Sequence, residues 1–462
     1  MEYDVLVLGG GPAGAAAALQ LARAGHRVAV LEKTAFPRFH VGESLIPADT
    51  DVFRRLGLDE VLAPDRLTQV RKDGVEFRTG DDAHGSRIKF ADGLNPRGAA
   101  TVSFNAERAP LDAALLNAAT DAGAKLFPDA RVESILRLTD GDVAVQTAAG
   151  AFAAKYLIDA TGQGAVVGRH LKQRRHFEHA ALKKVAYFGH FENVDRDNAL
   201  GNDEISMVLC DEGWFWMISV DEHRVSIGMV LDAEVAKDVQ RRDKVPNAQM
   251  LAWGIARCPL ITQRTRHATF PEKNRVASDF SYTCAPYSGP GHFLIGDAAT
   301  FLDPVFSTGV FLGLEGALDV AERLDRVLKG SLTPAKARAG YNAFVKRATR
   351  HFFKLIQAFY DPAFRDLFLD GTGPLNMHRA AITLLAGHVL PKPPLAVRWR
   401  MAVFYACVAA QRRFSLVKPK AGHALLTATA APAAKPPKGA PTGASRHQTP
   451  IFPSESGHHR LH

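Results

Sequence analysis

The fold is decided by residues 3–32, which read YDVLVLGGGPAGAAAALQLARAGHRVAVLE. A short apolar run is followed by a glycine-rich turn, a stretch of strong helix formers and a second apolar run. About thirty residues in this order are typical of a strand–helix–strand unit with parallel strands. The sequence therefore predicts a strand over 3–8, a helix over 15–24 and a strand over 27–31.

The turn contains Gly9, Gly11 and Gly14 in the spacing GxGxxG. In such a motif the first glycine permits the tight turn and the second lets the backbone approach a pyrophosphate. The third glycine lets the helix pack closely on the strand. Pro12 and Ala13 lie in this turn and are candidate cofactor-binding residues, and the helix that follows offers its unpaired N–H groups and positive dipole end to an anion. The motif thus predicts a dinucleotide site.

Polar residues at the ends of other strands extend this site. Glu32 closes the second strand, where a carboxylate accepts hydrogen bonds from ribose hydroxyls, and Lys33 stands beside it. Asp159 and Gly162 follow an apolar run in DATG, and Asp297 follows another in GDAA. We expect these residues to contact the cofactor, because an aspartate at a strand end can accept from ribose or ribitol hydroxyls.

Composition is that of a globular enzyme, with 47% hydrophobic and 23% charged residues over 462 positions. The four cysteines lie far apart in the sequence, without a CxxC pair. This pattern argues against a disulfide scaffold and against a metal site, and favours a reducing, cytoplasmic location. We expect no targeting segment, and no membrane span over 389–410, because charges and prolines interrupt that stretch.

Charge is distributed unevenly along the chain. Residues 331–420 carry 15 Lys and Arg against 3 Asp and Glu, whereas residues 1–330 have a net charge of −6. Residues 331–420 also show helical periodicity, which predicts a basic helical C-terminal region. Residues 421–462 are rich in Ala, Pro, Gly and Ser, which predicts a disordered tail.

The glycine motif, DATG and GDAATFLDP occur in the order found in FAD-dependent monooxygenases similar to para-hydroxybenzoate hydroxylase. The resemblance implies an α/β fold over residues 1–330. In it a glutathione-reductase-like, Rossmann-type FAD-binding domain is interleaved with a substrate domain. The mixed β-sheet of that domain would lie mainly at about 72–105 and 175–285, with the helical region 331–420 after it. Arg108 matches the arginine that opens a helix beside the cofactor in this superfamily.

Four segments resemble motifs of flavin-dependent halogenases of the non-tryptophan type: FHVGESLIP (39–47), RKDGVEF (71–77), GWFWMI (213–218) and DPVFSTG (303–309). The resemblance implies that Lys72 is catalytic. Ser307 and Thr308 would also take part in catalysis, and the backbone amides of Ser307, Thr308 and Gly309 would bind chloride or bromide. The residues implied as the wall of the flavin cavity are Glu43, Ser44, Trp214 and Trp216.

The chemistry implied by this resemblance begins with reduced FAD and O2, which give a flavin C4a-hydroperoxide that halide converts to hypohalous acid. Lys72 would then direct the oxidant to a ring carbon, either as an ammonium donor or as a haloamine, and both require a desolvated lysine. Phe306 stands where tryptophan halogenases carry Glu. This favours a phenol, a pyrrole or a ring tethered to a carrier protein as the substrate. A departure from the family pattern is Ser219, in place of proline.

Several alternatives stay open at this point. The chain could be a single-component aromatic hydroxylase or epoxidase, an isoprenoid (geranylgeranyl) reductase-like flavoprotein or a flavin-binding protein without activity. Lys72 could be a solvated lysine in a turn, and the two tryptophans could be ordinary core residues. Electrons could come from a separate flavin reductase or from transiently bound NAD(P)H. The basic C-terminal region could meet an acidic carrier protein or a membrane surface, whereas nucleic acid is not expected.

Overall fold

The computed structural model describes residues 2–196, 204–270, 274–278, 281–369, 374–420 and 422–430. The strands are β1 Tyr3–Leu8, β2 Val28–Leu31, β3 Gln69–Lys72, β4 Gly74–Thr79, β5 Gly85–Lys89, β6 Ser103–Ala106, β7 Lys125–Phe127, β8 Val132–Thr139, β9 Asp142–Thr147, β10 Gly150–Asp159, β11 Arg175–His176, β12 Lys184–Glu192, β13 Glu204–Leu209, β14 Gly213–Ser219, β15 Arg224–Asp232, β16 Arg275–Ser278, β17 Tyr282–Thr283, β18 Ser288–Gly289, β19 His292–Leu294 and β20 Thr300–Phe301. The helices are α1 Pro12–Arg23, α2 Pro47–Arg55, α3 Arg108–Asp121, α4 Val166–His170, α5 Ala233–Arg242, α6 Met250–Ile255, α7 Pro259–Arg264, α8 Gly309–Leu328, α9 Pro334–Phe359, α10 Pro362–Leu369, α11 Met377–Leu385 and α12 Leu395–Phe414.

The first sheet has a parallel centre in the order β19-β10-β1-β2-β7. All six residues of β1 are buried, and the apolar run from Val5 to Leu8 is typical of a strand covered on both faces. The glycine turn joins β1 to α1, and α1 packs between this sheet and α8. The predicted strand–helix–strand unit is therefore present, and the α/β fold class is confirmed.

The second sheet has the order β16-β12-β15-β14-β13-β4-β5. It is antiparallel except where β13 runs parallel to β4. One face, which carries Trp214, Trp216 and Phe77, turns toward the first sheet with its helices and toward the C-terminal helices. The opposite face, with Phe215 and Met217, packs on α6 and α7. β3 and β6 form a small sheet of their own, and so do β11, β17 and β20.

The C-terminal helices pack on both halves of the molecule. The Tyr341 hydroxyl of α9 donates to the carbonyl oxygen of Leu294 in the first sheet, at 2.6 Å. Phe368 of α10 contacts Phe77 of the second sheet edge to face, with ring centroids 5.0 Å apart. No helix in the described part of the chain is long and apolar enough to cross a membrane.

The expectation of a tail without structure from residue 421 is wrong for residues 422–430. Leu425 is fully buried against the second sheet. The N–H groups of Leu425 and Leu426 both donate to the Glu212 carboxylate at 2.8 Å. Composition suggested disorder because large apolar residues are scarce there. The burial of Leu425 and the two hydrogen bonds to Glu212 nevertheless hold the segment on the second sheet. Residue 421 and residues 431–462 lie outside the described residues.

Candidate functional site

The three motif glycines serve different purposes. Gly9 has φ of +97°, and a Cβ there would lie 2.5 Å from the carbonyl oxygen of Ala160. A Cβ on Gly14 would lie 1.9 Å from the carbonyl oxygen of Gly9. At Gly11, by contrast, the nearest atom to a Cβ would be Nη2 of Arg38, at 3.5 Å. Gly9 and Gly14 thus let the chain pack on itself, whereas a Cβ on Gly11 would meet only the guanidinium of Arg38, at ordinary contact distance.

The start of α1 is prepared for an anion. Pro12 is its first residue, and its first turn contains no acidic side chain to offset the dipole. Ala13 is small because α8 lies close to it, so that a Cβ on Gly313 would be 3.2 Å from the Ala13 Cβ. Arg38, which faces Gly11, is held by a 3.2 Å ion pair with the buried Asp112.

Glu32 organises the glycine turn from the next strand. Its buried carboxylate accepts from the N–H of Gly10 at 2.7 Å and from that of Thr34 at 3.1 Å. Lys33, which follows it, is exposed. Glu32 therefore sits at the predicted ribose position while also fixing the backbone that would meet the phosphates.

Asp159 and Arg108 have structural partners within the protein. The Asp159 carboxylate accepts from the N–H and hydroxyl of Thr161, at 3.0 and 2.6 Å, and from the N–H of Val167 at 2.7 Å. These bonds shape the loop that contains Gly162, where φ is +60°. Asp159 thus builds the loop, and its contact with a cofactor stays a prediction.

Arg108 opens α3, where Nε and Nη2 donate to the Asp112 carboxylate at 2.7 and 3.1 Å. Its Nη1 donates to the carbonyl oxygen of Val41 at 2.9 Å. Arg108 therefore fixes the start of the GESLIP segment. Asp297 is close enough to be affected by its charge: burial raises the pKa of Asp297 to about 6, and Arg108 works against that rise.

The predicted halide loop leads into the long helix α8. Ser307 adopts a left-handed conformation with φ of +55°, and its N–H donates to the carbonyl oxygen of Pro304 at 3.1 Å. Thr308 is buried and precedes Gly309, the first residue of α8. Helix geometry leaves the first N–H groups without acceptors inside the helix. The amides of Thr308 and Gly309 are therefore better placed for an anion than that of Ser307, which is already engaged.

The two tryptophans of β14 lie side by side on the same face of the second sheet, with ring centroids 5.9 Å apart. Trp216 occupies the space above Gly228, where a Cβ would come within 2.1 Å of its ring. The indole N–H of Trp214 donates to Tyr360 Oη at 3.1 Å, and Tyr360 donates to Asp303 at 2.9 Å. The tryptophan face is thus hydrogen-bonded to the halide loop through the end of α9.

Lys72 is buried, with 1% of its surface exposed. Its Nζ donates to Ser44 Oγ at 2.8 Å and to the carbonyl oxygen of Leu45 at 2.7 Å, and lies 5.4 Å from the Phe90 ring centroid. Burial lowers the pKa of Lys72 to about 7, although the carboxylate of Asp49 opposes this shift. The alternative of a solvated lysine in a turn is therefore wrong.

Glu43 has a buried partner that the sequence does not reveal. Its carboxylate accepts from Nε2 of His190 at 2.8 Å and from the N–H of Gly42 at 2.9 Å. Burial alone would raise the pKa of Glu43, but the hydrogen bond from His190 holds it below its usual value. The pair links the GESLIP segment to β12 of the second sheet.

A cleft of about 690 Å³ opens at the β5 edge of the tryptophan-bearing face. Its apolar walls include Phe368, Phe404 and Cys407 from the C-terminal helices, and Ala91 follows Phe90 on the opposite side. Phe90, whose ring contacts the ammonium of the buried lysine, directly precedes Ala91 in the chain, so the cleft lining and the lysine are neighbours at this point. The volume lies within the usual range for small-molecule sites.

Five residues of the site were not anticipated from the sequence: Arg38, Asp49, Asp112, His190 and Tyr360. Two of them leave a local trace. Asp112 stands four residues after Arg108 on one helix face, and Asp49 stands at the third position of α2, where a carboxylate can cap. The other three reach the site only through long-range packing.

The comparisons with known proteins agree with this geometry. The FAD binding domain family matches residues 2–339. A flavin-dependent halogenase of Penicillium aethiopicum is 30% identical over 385 residues, which are 77% of this chain and 70% of that protein. A 1H-pyrrole-2-carbonyl-[peptidyl-carrier protein] chlorinase of Pseudomonas fluorescens is 26% identical and covers 78% of this chain and 84% of its own length.

The solved structures include a myxobacterial chondrochloren halogenase, 27% identical, with a TM-score of 0.71 over 88% of this chain and 97% of that one. Its fold accords with the two interleaved sheets described above. The relatives, which are named halogenases, favour halogenation over the hydroxylase, epoxidase and reductase alternatives. The chain belongs to the flavin-dependent halogenases, enzymes built on an FAD binding domain.

Proposed function

We propose that this FAD-dependent halogenase acts on an electron-rich aromatic ring, with Lys72 as its catalytic residue and the amides of Thr308 and Gly309 as its halide site. The observation that carries the proposal is the burial of Lys72 behind the GESLIP segment, where only Ser44 and a backbone carbonyl accept its hydrogen bonds. Phe90, which contacts Lys72, directly precedes Ala91 in the lining of a cleft of substrate size.

The residues at the glycine turn fit FAD. Three features suit a pyrophosphate: Gly11 has no side chain, the guanidinium of Arg38 lies beside it, and no acidic side chain offsets the positive dipole end of α1. Glu32 and Asp297 stand where the ribose and ribitol hydroxyls would be expected. When it is bound and reduced, FAD would supply the chemistry by which O2 and halide yield hypohalous acid.

Lys72 then controls that oxidant. A pKa of about 7 means that ammonium and free amine are both populated near neutral pH. The ammonium can hydrogen-bond to the oxygen of hypohalous acid. As the halogen–oxygen bond breaks, this oxygen leaves as water and the ring carbon exchanges its proton for halogen. The free amine can instead carry the halogen as a haloamine, and in either case the buried Nζ keeps the oxidant near the ring.

The cleft provides room for the ring. Its aromatic and aliphatic walls suit a phenol or a pyrrole, and Ala91 in its lining directly follows Phe90, which contacts Lys72. Since Phe306 is apolar and packs edge to face on Phe359, it offers no carboxylate to activate a ring. A ring that is electron-rich without assistance is therefore the expected substrate.

An acidic carrier protein is the proposed bearer of that ring. The C-terminal region has 15 basic and 3 acidic residues over 331–420. It also holds most of the exposed large apolar residues in the described chain: Leu375, Leu395, Trp399, Phe414 and Leu416. A basic surface with exposed apolar residues, of which Leu416 also lines the cleft, suits an acidic partner, and one relative acts on a carrier-bound pyrrole.

The experiment that tests the role of Lys72 is Lys72→Met, assayed with reduced flavin, oxygen, bromide and a free phenol. Methionine keeps most of the volume but removes the amine, so bromination is expected to fall about 10²- to 10⁴-fold. FAD content and the reoxidation rate of reduced flavin are expected to stay unchanged. Lys346→Met, which removes an exposed lysine of α9, is the matched control. Bromination by Lys72→Met at the wild-type rate would contradict the proposal.

A further inference from the structure

The peptide group between Leu45 and Ile46 lies between two buried side chains of opposite charge. Its carbonyl oxygen accepts from Lys72 Nζ at 2.7 Å, and its N–H donates to Oδ2 of Asp49 at 2.9 Å. A peptide group polarised at both ends strengthens both hydrogen bonds. Lys72 and Asp49 are therefore connected through a single peptide group.

The negative charge of Asp49 is not required by any of its other contacts in the described residues. It is fully buried, and within the described residues its Oδ1 has no hydrogen-bond partner. Capping of α2 through the Ile46 N–H requires only one neutral acceptor, which an asparagine could provide. Burial raises the pKa of Asp49 to about 7, and the Ile46 N–H and the Lys72 ammonium lower it.

The other charged groups that face Asp49 have partners of their own. Glu315 of α8 accepts two hydrogen bonds from Arg55, at 2.7 and 3.0 Å. Arg108 of α3 is held by the two oxygens of Asp112. Asp49 and the catalytic lysine thus remain as the counter-charges of each other.

We propose that Asp49 is a positioning residue that sets the charge state and the orientation of Lys72 through the Leu45–Ile46 peptide group. The inference rests on the proposed role of Lys72. A carboxylate in this enclosed space stabilises the ammonium, and the peptide group holds Nζ beside Ser44. Asp49 itself touches no reacting atom in this arrangement.

The test is Asp49→Asn, which keeps the volume and the acceptor for Ile46 and removes the charge. Loss of the carboxylate destabilises the ammonium, so the Lys72 limb of the pH–kcat profile is expected to move to lower pH by about one unit. This shift is expected whether the ammonium or the amine is the active form. FAD content and flavin reoxidation should match the wild type. A limb that stays in place would overturn the proposal.

A second measurement needs no turnover. In Lys72→Met the Asp49 carboxyl loses the counter-charge that lowers its pKa, so folding at pH 8 must either bury an unpaired carboxylate or protonate it, and both are destabilising. Asp49→Asn should therefore raise the Tm of Lys72→Met at pH 8, by about 2 °C or more relative to its effect on the protein that retains Lys72. Equal effects in the two backgrounds would refute the coupling. Full bromination by Lys72→Met would instead refute the proposed function, and the stability cycle would still report on the pair.

Discussion

The glycine turn and the cluster around Lys72, formed by Ser44, Leu45, Asp49 and Phe90, are built in different ways. The glycine turn consists almost entirely of backbone groups from one continuous stretch. Side chains at Gly9 and Gly14 would collide with neighbouring backbone atoms. The cluster around Lys72 consists of buried side chains from β3, the GESLIP segment, α2 and the segment after β5. Its chemistry depends on their burial. The first is therefore sensitive to added atoms and the second to lost charges.

The largest effects should come from side chains added to the glycine turn. Gly14→Val would place a Cβ 1.9 Å from the carbonyl oxygen of Gly9, so we expect loss of folded protein. Gly11→Val would bring its Cβ only into ordinary contact with Nη2 of Arg38, at 3.5 Å, so it should fold normally but bind no FAD, because its side chain occupies the proposed pyrophosphate position. Flavin absorbance and a thermal melt of each variant distinguish the two outcomes. A flavin-loaded Gly11→Val protein would contradict the proposed site.

A smaller effect is expected at the cleft, where Cys407 is half-buried while the other three cysteines are buried. Cys407→Trp should raise the KM for a free phenol about tenfold, because the indole takes up substrate volume, a change equivalent to about 1.4 kcal/mol. FAD content should not change, and Cys407→Ala is the control for loss of the thiol. In the wild type, the phenol should slow alkylation of Cys407 by N-ethylmaleimide. An unchanged KM for Cys407→Trp would place the ring elsewhere.

The smallest effect concerns the basic surface. Arg398 and Arg413 are exposed on α12, whereas Arg412 forms an ion pair with Asp361 and is left intact. Reversing Arg398 and Arg413 to Glu should raise the KM for a carrier-bound substrate a few-fold, and added salt should reduce the effect. Turnover of a free phenol should stay the same, and Arg326→Glu on α8 is the charge-matched control for each of the two arginines reversed alone.

The outcome also separates the partners of this surface. Equal losses on free and carrier-bound substrates would mean that the two arginines support the structure. Binding to anionic lipid vesicles that the reversal abolishes, without a change in carrier kinetics, would identify a membrane surface instead.

The two halves also differ in how far the sequence predicts them. The strand–helix–strand unit, Glu32 and the start of α8 follow from local patterns, because each depends on neighbours within about thirty residues. The partners of Glu43 and Trp214 do not, since His190 and Tyr360 lie about 150 residues away in the sequence. Asp49 illustrates an intermediate case: its capping position can be predicted, but its proximity to Lys72 depends on the pairing of β3 with β6.

Residues 422–430 have a consequence for joining this enzyme to another protein. The end of α12 borders the cleft through Leu416 and Val417, whereas Leu425 is buried on the opposite face of the second sheet. The chain therefore passes around the sheet edge before residue 430. A carrier domain fused after that point would begin on the side away from the cleft, so its linker must be long enough to return. Truncation at residue 420 would shorten the path but would empty the Leu425 pocket.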